Sequence, residues 1–212
     1  MDDSKPIRRV LALHASPRRG GNTDQLLAAF LAKLKDVQRD QDGGTAGDGP
    51  TIRHLHPARL AIRPCPACGG CEETGRCIVK DDMTQVYDAV RWAEAIVVAS
   101  PVFFATVPAQ FKAMIDRHQC AWVAKYRLNK PWVAEEEGRR ALLLSAGGMR
   151  LRSHHDQVRQ VVRTWLVVIN YNLTADQRFL GVDSVGEIND VPDLAATLAA
   201  AAKKISSPPE NS

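Results

Sequence analysis

The chain has 212 residues, 45% of them hydrophobic and 25% charged, with a formal net charge of +4. That length supports one α/β domain with a sizeable core and is thin for two. Lys and Arg are scattered rather than clustered, which argues against nucleic acid as a partner. No apolar run approaches the ~20 residues that cross a bilayer, and the run from Val10 to Leu13 is too short for a signal-peptide core. A cytoplasmic protein without membrane contact is the expectation.

Ile7 to Ala15 reads as a buried strand that meets a glycine-rich turn, SPRRGGNTD. Leu26, Leu27, Phe30, Leu31 and Leu34 then recur at helical spacing, which predicts a helix over 23–37 with N-cap residue types at Asn22, Thr23 and Asp24. Residues 40–50 are polar and glycine-rich and read as a mobile loop. A short strand at Ile52 to Leu55 precedes a cysteine-rich loop over 64–80. A helix over 81–94 follows, with Asp81 or Asp82 at its positive end. AIVVAS (95–100) is an apolar strand that stops at Pro101, and a helix over 108–120 carries proline in its first turn. Residues 121–138 read as irregular. RALLLSA (140–146) is a buried strand ending at Gly147 and Gly148; a helix over 153–168, a strand over 171–181 and a helix over 193–204 complete the order, with 206–212 as a disordered tail.

Alternating strands and helices, with three strands nearly all apolar, imply a parallel sheet covered on both faces and right-handed crossovers. Five such strands fit a flavodoxin-like doubly wound α/β sheet of order 2-1-3-4-5, one domain over 1–205, with the cysteine loop inserted after strand 2.

Three loops then carry chemistry. In Ser16-Pro-Arg-Arg-Gly-Gly-Asn-Thr23, glycines let the backbone close on an anion at the start of a helix, where free amides and the dipole favour negative charge. Ser16, Asn22 and Thr23 add donors and Arg18 adds a bidentate cation, so the loop suits a phosphate. It matches neither the Walker pattern nor GxGxxG. Ser100-Pro-Val-Phe-Phe104 offers an apolar, aromatic wall at the point where strand order reverses. Ser145-Ala-Gly-Gly148 allows close backbone approach to a ring edge. The three loops converge on one edge of the sheet.

There are five cysteines, and four fall in the run Cys65-x2-Cys68-x2-Cys71-x5-Cys77. Three thiols at intervals of three, closed by a fourth, suit a compact 4Fe–4S cubane. Structural zinc more often uses two separated C-x2-C pairs, so zinc or an unloaded site stand as the alternatives. All strands of a parallel sheet end on one edge, so the cysteine loop is expected beside the other three loops.

SPRRGGNTD, PCPACGGCEETGRCIVKDDM and SPVFF together resemble the iron–sulfur flavoproteins, in the NAD(P)H-dependent FMN reductase branch of the flavodoxin superfamily, over about residues 7–185. The resemblance implies non-covalent FMN, a 4Fe–4S cluster on Cys65, Cys68, Cys71 and Cys77, and a homodimer or homotetramer. Ser16, Arg18, Gly21, Asn22 and Thr23 would hold the FMN phosphate; Pro101, Val102, Phe103, Phe104, Ala146, Gly147 and Gly148 would flank the isoalloxazine. Such a protein passes electrons from a reduced donor, NAD(P)H or a ferredoxin, to an acceptor, and no acid–base residue is required. Phe104 stands where the family often has tyrosine, and 41–50 look like an added loop. Two other functions stay open: an NAD(P)H-dependent flavin or quinone reductase with a zinc or empty cysteine site, and a non-enzymatic, zinc-stabilised binding module. Outside these segments, Cys120 reads as a buried structural thiol and His154 and His155 as surface residues. Asp183, after the last strand, is within reach of the flavin or a neighbouring subunit.

Overall fold

A computed structural model describes residues 7–41 and 49–207. The elements are β1 (Arg9–His14), α1 (Asn22–Gln41), β2 (Thr51–Leu55), α2 (Met83–Trp92), β3 (Ala95–Pro101), α3 (Ala109–Asp116), α4 (Gln119–Trp122), β4 (Arg140–Gly147), α5 (Arg152–Val168), β5 (Asn172–Leu180) and α6 (Leu194–Ser206). All sheet pairings are parallel, in the order β2-β1-β3-β4-β5, as expected. β1 lies between β2 and β3, so strand order reverses beside it and a crevice opens where β1 and β3 end.

The apolar strands are explained by two cores. Side chains alternate across a sheet. Leu11, Leu13, Ile96, Val98, Ala141 and Leu143 therefore face one way, onto α2, α3 and α5. Val10, Ala12, Val97, Ala99, Leu142 and Leu144 face the other way, onto α1 and α6. The α2 carbonyl end is closed by two buried groups: Arg139 donates to the carbonyls of Val90, Arg91 and Ala93, and the Tyr171 hydroxyl to those of Val90 and Ala93.

The differences from expectation are local. α1 runs to Gln41, past the expected end at Val37; of the expected loop over 40–50, residues 42–48 lie outside the described residues. The helix expected over 108–120 is two helices, interrupted at Arg117 (φ −70°, ψ −9°) and His118 (φ −80°, ψ 9°). Within 121–138, expected to be irregular, Val123–Arg127 forms a π-helical turn and Glu135–Glu137 a 3₁₀ turn. Ser206, placed in a disordered tail by sequence, ends α6 and is buried. Arg140 holds it there, donating to the carbonyls of Ile205, Ser206 and Ser207. Residues 208–212 of that tail lie outside the described residues.

Candidate functional site

The loop after β1 is tied from within. The Gly21 carbonyl accepts the N–H groups of Asp24 and Gln25 and so starts α1. Asp24 reaches back to accept the Gly20 N–H at 2.8 Å, and Ser16 Oγ accepts the Arg18 N–H at 3.1 Å. Gly20 has φ +63°, a left-handed conformation that glycine adopts without penalty. The amides that open a helix have no partner inside it, so this end of α1 presents donors to an anion. The Asn22 side chain is already committed: its amide donates to the Ser184 carbonyl, and its oxygen accepts from Gly186 and Ile188. It fastens the loop after β5 to the loop after β1.

Four loop segments meet in one small groove. Ser16, Arg18, Gly21, Asn22, Thr23, Pro101, Val102, Phe103, Ala146, Gly147 and Gly148 all line it, together with Val182, Asp183 and Val185 from beyond β5. Gly147, which ends β4, and Gly148, which follows it, sit where a side chain would be crowded. A Cβ on Gly147 would stand 3.0 Å from Val102 Cβ, and one on Gly148 2.9 Å from Asp183 Cβ. Phe104 does not join the groove. Phe103 and Thr106 exchange both backbone hydrogen bonds at 2.9 Å, closing a two-residue turn in which Phe104 (φ 47°) and Ala105 (φ 60°) are left-handed. That geometry belongs to hairpin turns, where glycine or asparagine is usual. It drives the Phe104 ring fully into solvent.

His155, read from sequence as a surface residue, is buried, with Nδ1 2.8 Å from Ser145 Oγ. Burial, then the charge of Arg178, lowers its pKa, which favours the neutral ring. The signal was in the spacing: His155, Val158, Val162, Trp165 and Leu166 form the buried face of α5. Asp183 lies in the groove, against Gly148.

The cysteine loop leaves β2 through a 3₁₀ turn at Pro57–Arg59. It is shaped by Glu72 N–H donating to Gly69 and Gly75 N–H donating to Cys71. Cys65, Cys71 and Cys77 are half-buried and Cys68 is exposed. All four line a cavity of about 870 Å³, walled by the end of α3, by α4, and by Gln160 to Val168 in the second half of α5. This departs from the placement expected from strand order. The loop starts at the groove's edge of the sheet but crosses the helical face, and the cavity and the groove share no lining residue. Arg152 and Thr164 are 12 residues apart, which is about 18 Å along α5 at 1.5 Å per residue.

Arg117 organises this cavity. Its side chain has no exposed surface and forms a bidentate pair with Asp81 (2.6 and 3.1 Å). It also donates to the Arg63 and Val79 carbonyls and, at 3.4 Å, to Cys77 Sγ. Burial pushes the Asp81 carboxyl upward, but the guanidinium and the Arg63 and Met83 amides outweigh it and hold it below its ordinary value. The sequence did not single out Arg117; its partners are distant in the chain. Cys120 is buried, as expected, with Sγ donating to the Arg117 carbonyl, and burial raises its pKa.

Three buried nitrogens on this cavity's residues have no partner: Arg117 Nε, His118 Nε2 and Trp165 Nε1. The Arg and Trp atoms are N–H donors, and an unpaired buried donor is costly. These atoms have no accessible surface and so lie behind the cavity wall; the donor that reaches a thiol is Arg117 Nη2, at Cys77 Sγ. A single zinc needs a tighter set. Zn–S bonds of ~2.3 Å place tetrahedral sulfurs ~3.8 Å apart. Among the described residues the only three or more His, Cys, Asp or Glu ligand atoms all within 4.8 Å of one another belong to His14, Asp24 and His56, so no three of the cysteine sulfurs meet that limit.

The sheet order and the groove where β1 and β3 end define a flavodoxin-like α/β protein with a ligand crevice at its switch point. Residues 8–177 match the NADPH-dependent FMN reductase family, and the chain belongs to that family, an FMN-dependent oxidoreductase family. Among characterised relatives, an iron-sulfur flavoprotein of Methanosarcina thermophila is 27% identical over 82% of this chain and 80% of its own length. Iron-sulfur flavoproteins of Archaeoglobus fulgidus and Methanocaldococcus jannaschii are 31% and 30% identical over 51% of this chain, and the matches cover 44% and 51% of theirs. Solved structures share the fold. An NAD(P)H:quinone oxidoreductase from Methanothermobacter marburgensis has a TM-score of 0.65 at 16% identity, covering 98% of this chain and all of the other. An FMN-dependent NADH-azoreductase from Bacillus anthracis has a TM-score of 0.64 at 13% identity, over 94% of this chain and all of the other.

Proposed function

We propose that this chain is an FMN-dependent oxidoreductase or electron-transfer flavoprotein that also carries a 4Fe–4S cluster, and that it moves electrons from NAD(P)H or a ferredoxin-type donor to an acceptor. The observation that carries the cluster is a cavity lined by all four cysteines, with no three sulfurs as close together as a single zinc requires. The names of the similar archaeal proteins point the same way.

The residues divide the work. Ser16, Arg18, Gly21 and the amides at Asn22 and Thr23 bind the FMN phosphate at the positive end of α1. Asn22 does so through its backbone, since its side chain braces the loop after β5. Pro101, Val102 and Phe103 form one wall for the isoalloxazine, and Ala146, Gly147 and Gly148 the other. Phe104, on its exposed turn, meets the ring or a neighbouring chain only from outside the groove. Cys65, Cys68, Cys71 and Cys77 hold the cluster, with Arg117 beside Cys77. When bound, the flavin supplies two-electron and the cluster one-electron chemistry; the protein positions both and tunes them through charge and hydrogen bonds.

A homodimer or homotetramer is part of this reading. The exposed large apolar residues form two sets. Phe104, Met149, Leu151 and Val185 belong to the segments around the groove, and Ile78, Trp122, Tyr126 and Val167 to those around the cysteine cavity. Exposed apolar surface collected at functional sites marks contact with a partner.

Oxygen-free purification tests the reading. Absorbance should show flavin bands with a broad shoulder near the violet that bleaches with dithionite. Cys71→Ser should remove the shoulder and leave the flavin bands. A variant with an unchanged shoulder overturns the cluster assignment, and colourless wild-type protein overturns the flavin.

A further inference from the structure

A second cluster of metal-binding side chains lies behind the phosphate loop, away from the cysteines. His14 ends β1, Asp24 stands in the first turn of α1, and His56 follows β2. One ligand atom from each lies within 4.8 Å of the other two. His14 Nδ1 is 2.8 Å from Asp24 Oδ1, and both side chains are largely buried. The His56 ring stacks on His14 at 3.9 Å between centroids, and His14 Nε2 is 3.0 Å from His54 Nδ1.

We propose that His14 Nδ1, Asp24 and His56 form a binding site for a divalent first-row transition metal such as Zn²⁺, with His54 orienting His14 from behind. Two imidazoles and one carboxylate suit borderline metals such as zinc, cobalt, nickel or ferrous iron rather than Mg²⁺ or Ca²⁺. Bonds of ~2.0–2.2 Å place ligand atoms ~3–3.5 Å apart, so atoms now within 4.8 Å of one another close by at most about 1.5 Å. Rotation of the partly exposed His56 supplies that movement. A metal-bound histidine almost always donates its other ring N–H to an acceptor. His54 Nδ1 stands where that acceptor is needed.

Protons balance without a net change. With both rings neutral and no metal, the 2.8 Å and 3.0 Å contacts require His14 Nδ1–H to donate to the Asp24 carboxylate and His54 Nδ1–H to donate to His14 Nε2. With metal on His14 Nδ1, each neutral histidine carries its proton on the other ring nitrogen, and the His14–His54 bond runs in reverse. His54 and His56 line an open cleft of about 420 Å³ beside edge strand β2, which gives the ion a way in. Asp24 also holds the Gly20 amide. The bound ion therefore fastens the phosphate loop to β1 and β2.

Calorimetric titration of Zn²⁺ into the oxygen-free, cofactor-loaded protein tests this, alongside His56→Ala and His54→Gln. One Zn²⁺ site per chain is expected in the wild type, absent in His56→Ala and weakened about tenfold or more in His54→Gln, the loss expected when a group orienting a ligand is removed. Bound Co²⁺ should show visible bands without thiolate charge transfer. Equal Zn²⁺ binding by wild type and His56→Ala, no binding at all, or a cobalt spectrum dominated by sulfur overturns the proposal. The cysteines' iron content is read separately, so failure here leaves the cluster reading intact.

Discussion

Arg117 has no exposed surface, yet it touches the cysteine loop at Cys77 and Val79 and the loop's two flanks at Arg63 and Asp81. Arg117→Met should leave the Asp81 carboxylate buried without its partner, at a cost of about 3–5 kcal/mol. Urea denaturation should show that loss together with reduced iron content; an unchanged midpoint contradicts the role given to Arg117. His118 gives a pH signature. It is fully buried, and burial takes its pKa from 6.5 to about 4. The unfolded chain therefore binds this proton first as pH falls. Stability present above pH 6.5 should decline between about 6.5 and 4, by up to about 3 kcal/mol at 1.36 kcal/mol per pH unit. His118→Phe should flatten that part of the urea-midpoint profile, and an identical profile would show that another group sets it. Neither residue was legible from sequence. Both depend on contacts between distant segments, and the break between α3 and α4 that turns Arg117 inward leaves no mark in a helical pattern.

At the level of elements, the strands and the glycine-rich turn into α1 were readable because each announces itself locally. A strand covered on both faces must be apolar throughout, and glycines before capping residues mark a tight turn into a helix. That the four cysteines belong together was readable by spacing, and they do line one cavity. The site of the cavity was not. Strand order fixes where the loop departs, but packing against α3 and α5 decides where it goes. The turn at Phe104 was also hidden, since neither Phe104 nor Ala105 is a residue type that signals left-handed backbone. Gly147 tests how β3 and β4 build the groove. An alanine there meets the branched Val102 Cβ at 3.0 Å, which a nearby backbone cannot easily relieve. Gly147→Ala should cost about 1–3 kcal/mol of stability and weaken FMN retention on gel filtration. Undiminished stability and FMN retention would mean the close approach is not required.

For the whole molecule, the sheet places a groove where β1 and β3 end, and the helical layer places the thiols along the second half of α5. No described helix is long and apolar enough to cross a membrane. The proposed homo-oligomer rests on the exposed apolar residues around both sites. Sedimentation should show a dimer or tetramer, and Trp122→Glu together with Val185→Glu should lower its mass toward the monomer. A monomeric wild type would contradict the homo-oligomer. The joining of a flavin and a cluster in one chain is tested most directly by counting iron, zinc and FMN in protein kept free of oxygen. The account predicts about four irons and one FMN per chain. Protein with FMN but without iron, whatever its zinc content, would contradict it.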